Sequence, residues 1–265
     1  PMSLQFELLS TDPSGARLGQ LTTVRNGVEK TVQTPVFMPV ATQASIKTVL
    51  PEQVAETGSR ILLVNSYHLH LKPGEDVVAG ANGLHRFMNW PHMIITDSGG
   101  YQIFSLPVRE MGEEGVRFQA EKGGERIMLT PEKAVAIQEA LGADIAMVLD
   151  ECVAYPTPHE YAKEAMQRSV RWAKRCLEAH QREDQALFPI VQGSTFPDLR
   201  RDCALALADL DPVGIAVGGL SVGEGLEVMQ EVLSYTVPHL PTDKPRYLMG
   251  VGLPEDILAS VEAGM

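Results

Sequence analysis

Two aspartates, a glutamine and paired glycines stand at the ends of short apolar runs, and these residue types could do chemistry together. Asp97-Ser98-Gly99-Gly100-Tyr101 follows the run 93–96, Asp150-Glu151 follows 145–149, Gln192-Gly193 follows 187–191, and Gly218-Gly219 follows 214–217. Ala41-Thr42, Asn65-Ser66 and Gly250-Val251 end three further runs, 36–40, 60–64 and 247–249. No Lys or Arg is among these end residues, so the set suits a neutral planar ligand better than a sugar phosphate. A carboxylate such as Asp150 can accept from a ring N–H and an exocyclic amine together. The Gln192 amide and the Gly219 backbone N–H can serve a carbonyl oxygen. Tyr101 and Met249 can cover the two faces of a ring. A purine with an amino-pyrimidinone edge fits this set. Taken singly, each residue is explained as well by a helix cap or a satisfied loop group, and the glycines after Asp97 by an ordinary turn. The case rests on the joint pattern.

That pattern needs a scaffold that brings strand ends to one side. The seven apolar runs alternate with helical segments, the signature of repeated βα units around parallel strands. Several helices should begin at a proline in the first turn, at Pro51, Pro131, Pro158, Pro197 and Pro254. A further helix is expected after Lys72-Pro73-Gly74. Before the series, residues 6–9 and 17–24 read as a hairpin across one end, joined by Asp12-Pro13-Ser14-Gly15. Residues 116–119 and 127–129 read as an excursion hairpin about Gly123-Gly124. No GxGxxG follows the first strand, which counts against a dinucleotide fold. The expected fold is α/β, a (β/α)8 TIM-type barrel, incomplete because seven strands are found where eight are needed. Residues 1–265 are expected to form one domain, truncated before the eighth strand.

Composition bounds the partners. The 265 residues are 44% hydrophobic, enough for a large core, and no apolar run approaches the roughly 20 residues that span a bilayer. The start, Pro1-Met2-Ser3-Leu4-Gln5, carries no secretory signal pattern, and Cys152, Cys176 and Cys203 make no CxxC pair. Reduced thiols in a cytoplasmic protein without a metal cluster are expected. A net charge of −12 is the wrong sign for gripping nucleic acid.

The residues also match a known family. Thr34-Pro35-Val36-Phe37-Met38-Pro39-Val40, Asn65-Ser66-Tyr67-His68-Leu69, Thr96-Asp97-Ser98-Gly99-Gly100-Tyr101-Gln102, Asp150-Glu151-Cys152, Val191-Gln192-Gly193-Ser194, Val217-Gly218-Gly219-Leu220-Ser221-Val222-Gly223-Glu224 and Tyr247-Leu248-Met249-Gly250-Val251-Gly252 occur in order. With these blocks the chain resembles the tRNA-guanine transglycosylases, the base-exchange enzymes of queuosine biosynthesis. Cys152 and Val222 resemble the bacterial type, which inserts 7-aminomethyl-7-deazaguanine rather than queuine. The resemblance implies that guanine at the anticodon wobble position of tRNA is replaced by that 7-deazaguanine base. It makes Asp97 the catalytic acid/base, and Asp150, Gln192 and Gly219 the base readers. Tyr101 and Met249 become the stacking pair, with Ser98, Gly99, Gly100, Cys152 and Leu220 also against the base. Gly250, Val251, Gly252, Leu253, Pro254, Glu255 and Asp256 correspond to an RNA-contacting segment, where exposed N–H groups ahead of a helix would suit a phosphate. The family's nucleophilic aspartate and its Cys/His zinc site correspond to positions past Met265. The chain is therefore expected to bind the base without efficient turnover, to hold no cofactor or metal of its own, and to be homodimeric at full length.

Two rivals stand beside this reading. One is a non-catalytic homologue or partner subunit that keeps a purine pocket. The other is a phosphosugar barrel using the late glycine loops, Gly218-Gly219 and Gly223-Glu224-Gly225. His68 and His70 could form a metal pair only if their segment is extended, and a packed or solvent-facing pair explains them more simply. The basic run Arg168, Arg171, Lys174, Arg175 and Arg182 reads as a solvated helix face beside glutamates, with RNA phosphate as the alternative. Trp90 and Trp172 read as packing residues.

Overall fold

A computed structural model describes residues 4–25, 27–120 and 123–265. The first strands are β1 (Leu4–Thr11), β2 (Arg17–Arg25) and β3 (Val28–Thr34). Then come α1 (Pro51–Glu56), β4 (Ile61–Val64), α2 (Ser66–Leu71), α3 (Glu75–Gly80), α4 (Leu84–Phe87), β5 (Met93–Thr96) and α5 (Gly100–Phe104). An excursion follows as β6 (Arg109–Met111), β7 (Val116–Gln119) and β8 (Arg126–Leu129), leading into α6 (Pro131–Leu141) and β9 (Ile145–Met147). The chain continues through α7 (His159–Ala179), β10 (Ala186–Phe188), β11 (Ile190–Val191), α8 (Pro197–Ala208), β12 (Ile215–Val217), α9 (Leu226–Thr236), β13 (Arg246–Leu248) and α10 (Pro254–Glu262). The class is α/β. The chain divides into two compact units, residues 38–150 with 172–187, and residues 1–37 with 151–171 and 188–265.

The first unit is built on a four-stranded sheet in the order β10-β9-β5-β4, with β4, β5 and β9 parallel. Strand β5 is buried along its whole length, as its unbroken apolar run requires when both faces are covered. Gln138 on α6 ties this sheet together: its Oε1 accepts from Thr96 Oγ1 at 3.0 Å and Met147 N at 2.9 Å, and its Nε2 donates to Met147 O at 2.8 Å. One buried amide thus fixes β5, β9 and α6 in mutual register. At the amino end of β5, the buried Asp144 carboxylate accepts from Ile94 N at 2.8 Å and lies 2.8 Å from His85 Nε2. Register then does the positioning. Val64 pairs with Thr96, so Asn65 and Asp97 come off the ends of β4 and β5 side by side.

In the second unit, β11, β12 and β13 form a parallel sheet in which Val191 pairs with Val217 and Val217 with Leu248. Gln192, Gly218 and Met249 therefore lie one step beyond aligned residues. The antiparallel sheet β1-β2-β3 belongs to this unit. Arg17 fastens it by donating to the carbonyls of Thr242 at 2.8 Å and Lys244 at 2.9 Å.

Several expectations need correction. The N-terminal hairpin has a third strand, β3, and the excursion hairpin also has a third, β6. Residues 36–40 make only a single parallel bridge, Val40 to Leu63, because the prolines at 35 and 39 cannot donate to a ladder. The run 187–191 breaks at Pro189 into β10 and β11, which join different sheets. Three short helices rather than one occupy the stretch from Ser66 to Phe87. Trp90 and Trp172 are core residues, and their indole N–H groups donate to Met93 O and Glu113 O. Among the described residues, no helix is long and apolar enough to cross a membrane.

Candidate active site

Asp97 is buried at the end of β5 and is surrounded by donors. Asn65 Nδ2 donates to its Oδ2, as does Gln102 Nε2 at 3.1 Å. Ser66 N at 3.0 Å and Gly99 N at 3.2 Å donate to Oδ1. Gly99 has φ +83, and a side chain there would press on Tyr67 Cβ at 3.1 Å, so the turn that brings its N–H back to Asp97 needs glycine. Burial raises the Asp97 pKa above its ordinary 3.8, and the donors from Asn65, Ser66, Gln102 and Gly99 pull the other way without reversing it. Such a carboxylate is fixed in place yet holds a proton more readily than a free aspartate.

Asp150 is close by in the same unit. A Cβ on Gly100 would stand 3.0 Å from the Asp150 carbonyl oxygen and 3.4 Å from its Oδ1 and from Ser98 Oγ. The missing side chain at Gly100 is therefore what lets the Ser98–Gly100 turn lie against Asp150. Tyr101, on the first turn of α5, is 59% exposed, so its ring is open to a ligand face. The Gln102 amide oxygen is buried without a hydrogen-bond partner.

The second unit holds Cys152, Gln192, Gly219, Leu220, Met249 and the segment 250–256. Gln192 is buried, and its N–H meets Cys203 Sγ at 3.3 Å. Gly219 has φ +67, and a Cβ there would fall 2.4 Å from Gln192 Oε1. The two predicted base readers of this unit are therefore in direct apposition, at a separation only glycine permits. Met249 continues the sheet, its N–H donating to Val217 O at 3.0 Å, and its side chain is half-buried. Gly250 has φ +81 and packs toward Ser221. Residues 252–255 are exposed, and Glu255 and Asp256 in the first turn of α10 put negative charge where a phosphate was expected. Cys152 is half-buried.

Features outside these two groups resolve differently. His68 and His70 lie on α2, where residues two apart point in different directions, and His70 Nδ1 contacts Glu75 Oε2 at 2.7 Å. Arg168 pairs with the buried Glu151, Arg175 with Glu132 and Arg182 with Asp184, so three of the basic run are engaged within the chain. The late loop is also committed. Glu224 accepts from Ser221 N and, at 2.8 Å, from Val222 N, placing an internal carboxylate where a phosphosugar would need free N–H groups.

The sequence pattern missed Gln102 and Gln138, and above all Arg200. This arginine is fully buried on the first turn of α8, and burial pushes its pKa down to about 10. A signal was present: Arg200, Cys203, Ala204 and Leu207 share the buried stripe of α8, so a cation sits at a core position.

A family model described as queuine tRNA-ribosyltransferase matches residues 12–265. A queuine tRNA-ribosyltransferase of Natranaerobius thermophilus is 53% identical, over all of this chain and 70% of that protein. Those of Symbiobacterium thermophilum and Pelotomaculum thermopropionicum are 55% and 54% identical over all of this chain, covering 66% and 71% of their own lengths. The chain thus spans about two thirds of the length of these curated relatives.

Proposed function

Because the chain belongs to the queuine tRNA-ribosyltransferase family, we propose that it serves tRNA base exchange, replacing guanine at the anticodon wobble position with 7-aminomethyl-7-deazaguanine. The α/β fold is accordingly of the (β/α)8 type, and residues 1–265 serve as one catalytic domain in this reading. Asp97 moves the proton at the base, since it is buried, raised in pKa and held by its donors. Asp150 accepts from the ring N–H and exocyclic amine, while the Gln192 amide and the Gly219 N–H meet the carbonyl oxygen. Tyr101 and Met249 stack on the base, and Ser98, Gly99, Gly100, Cys152 and Leu220 line it. Residues 250–256 contact the tRNA. No metal or cofactor is assigned to this chain, and a cytoplasmic homodimer acting on tRNA is the proposed setting. The carboxylate that would hold the ribose is not among the residues assigned here.

One observation favours this over the phosphosugar reading. The Ser221 and Val222 N–H groups of the late loop already donate to the Glu224 carboxylate, whose negative charge disfavours a phosphate there, while the end residues assigned to base reading are uncharged or acidic. Calorimetry with free guanine tests it. Asp150→Ala should weaken guanine by tenfold or more, since a purine edge left unpaired in a closed pocket costs about 1–3 kcal/mol. Unchanged affinity would remove Asp150 from the reading, and saturation by a phosphosugar but not by guanine would replace it.

A further inference from the structure

The Arg200 guanidinium makes four hydrogen bonds, all to backbone carbonyls at the ends of β11 and β12. Nε donates to Ser194 O at 2.6 Å, Nη1 to Val191 O at 3.1 Å and Gly218 O at 2.7 Å, and Nη2 to Gly219 O at 3.3 Å. Among the described residues no carboxylate lies within ion-pair distance of it, although burying a cation without one is costly. The loops are shaped to let it in. Gly193 has φ +136, and a Cβ there would strike Arg200 N at 2.8 Å and Leu199 C at 2.9 Å.

The consequence follows from peptide geometry. In a planar trans peptide the C=O and the next N–H point to opposite sides. With the Gly218 and Gly219 carbonyls both drawn to the guanidinium, the N–H groups of Gly219 and Leu220 both face away from it, to a common side. Neither of these N–H groups donates to another group among the described residues. Two adjacent donors held on one side form a receptor for a single electron-rich oxygen.

We propose that Arg200 is a positioning residue for base selection: by clamping the Gly218 and Gly219 carbonyls it aims two consecutive backbone N–H groups, of Gly219 and Leu220, at the carbonyl oxygen of the base. This rests on the base-reading proposal above and extends it, because the specificity for an oxygen at that position is set by a side chain that never touches the ligand. Planar geometry matters here. A lysine supplies charge but no fork, and cannot hold four carbonyls at once.

The test compares guanine with 6-thioguanine, which keeps the ring N–H and the amine but presents a weakly accepting sulfur. Calorimetric Kd values are measured for the wild-type chain, Arg200→Lys and Arg200→Met, with near-UV circular dichroism confirming native packing. Arg200→Lys should weaken guanine about tenfold and 6-thioguanine by no more than about threefold, narrowing the preference between them. Should Arg200→Met fail to fold, the lysine variant carries the comparison alone. Equal loss for both ligands, or no loss for guanine, overturns the proposal, because a merely structural arginine would not distinguish oxygen from sulfur. Failure of the base-reading proposal looks different: the wild-type chain itself would not bind guanine, or would bind the two ligands alike.

Discussion

The Asp97 loop and the Gly218–Gly219 loop solve opposite problems with opposite charges. At Asp97, side-chain amides and backbone N–H groups converge on a buried anion, and burial keeps its proton affinity high. At Gly218 and Gly219, a buried cation converges on backbone carbonyls and leaves the adjoining N–H groups outward. The first arrangement makes a group whose charge can change during a reaction. The second makes a hydrogen-bonding pattern that stays constant, because a guanidinium with a pKa near 10 is protonated throughout the neutral range. On the proposed roles, proton transfer and base selection draw on different materials, a titrating side chain and a fixed backbone.

The largest effect should come from breaking the first arrangement without changing its shape. Asp97→Asn keeps the side-chain volume but cannot shuttle a proton. Introduced into a full-length protein that carries the ribose-holding carboxylate, it should lower exchange of labelled guanine into tRNA by roughly 10²–10⁴-fold, while the guanine Kd of the 265-residue chain stays within about threefold. A parallel loss of affinity would move Asp97 from proton transfer to base gripping, and the two loops would no longer divide the work.

A smaller effect sharpens the contrast through stability. A carboxylate with a raised folded pKa holds its proton more tightly folded than unfolded. Its contribution is complete below the ordinary value of 3.8 and is lost as pH rises through the raised one. Chemical denaturation across pH 4 to 7 should therefore show Asp97→Asn gaining on the wild type as pH rises. The Arg200 variants should keep a constant offset from the wild type over the same range. If the wild type instead gained with pH, the donors would outweigh burial at Asp97.

The smallest effect concerns the thiols. Burial pushes Cys176 up to about 12, with its Sγ receiving Leu149 N at 3.4 Å, and Cys203 is fully enclosed under Gln192. Brief alkylation of the native chain should label Cys152 alone. Labelling of Cys203 at the same rate would mean that the Gln192 support opens readily.

Much of this was legible in the chain because the signals are local. An apolar run that stops at Asp97, Asp150 or Gln192 marks a strand end wherever the strand goes, and proline marks helix starts at 51, 131, 197 and 254. The breaks were less legible. Pro189 looked like part of one run, yet it separates two strands that pair with different neighbours. Arg200 was hidden for another reason. In Asp198-Leu199-Arg200-Arg201-Asp202 it resembles its exposed neighbour Arg201, which pairs at the surface with Asp202. Only the helical phase separates them: Arg200 falls on the stripe of Cys203 and Leu207.

The sequence alone determined which residue types stand at the strand ends, and with them the family and the kind of ligand edge they suit. It did so because strand and helix periods are written in short stretches of chain. Tertiary structure alone decided what holds those residues in place. The four carbonyls around Arg200 come from two loops that adjoin only once β11 pairs with β12, and the donors around Asp97 meet only once Val64 aligns with Thr96. Such partners are set by strand register between distant segments, which no local pattern encodes.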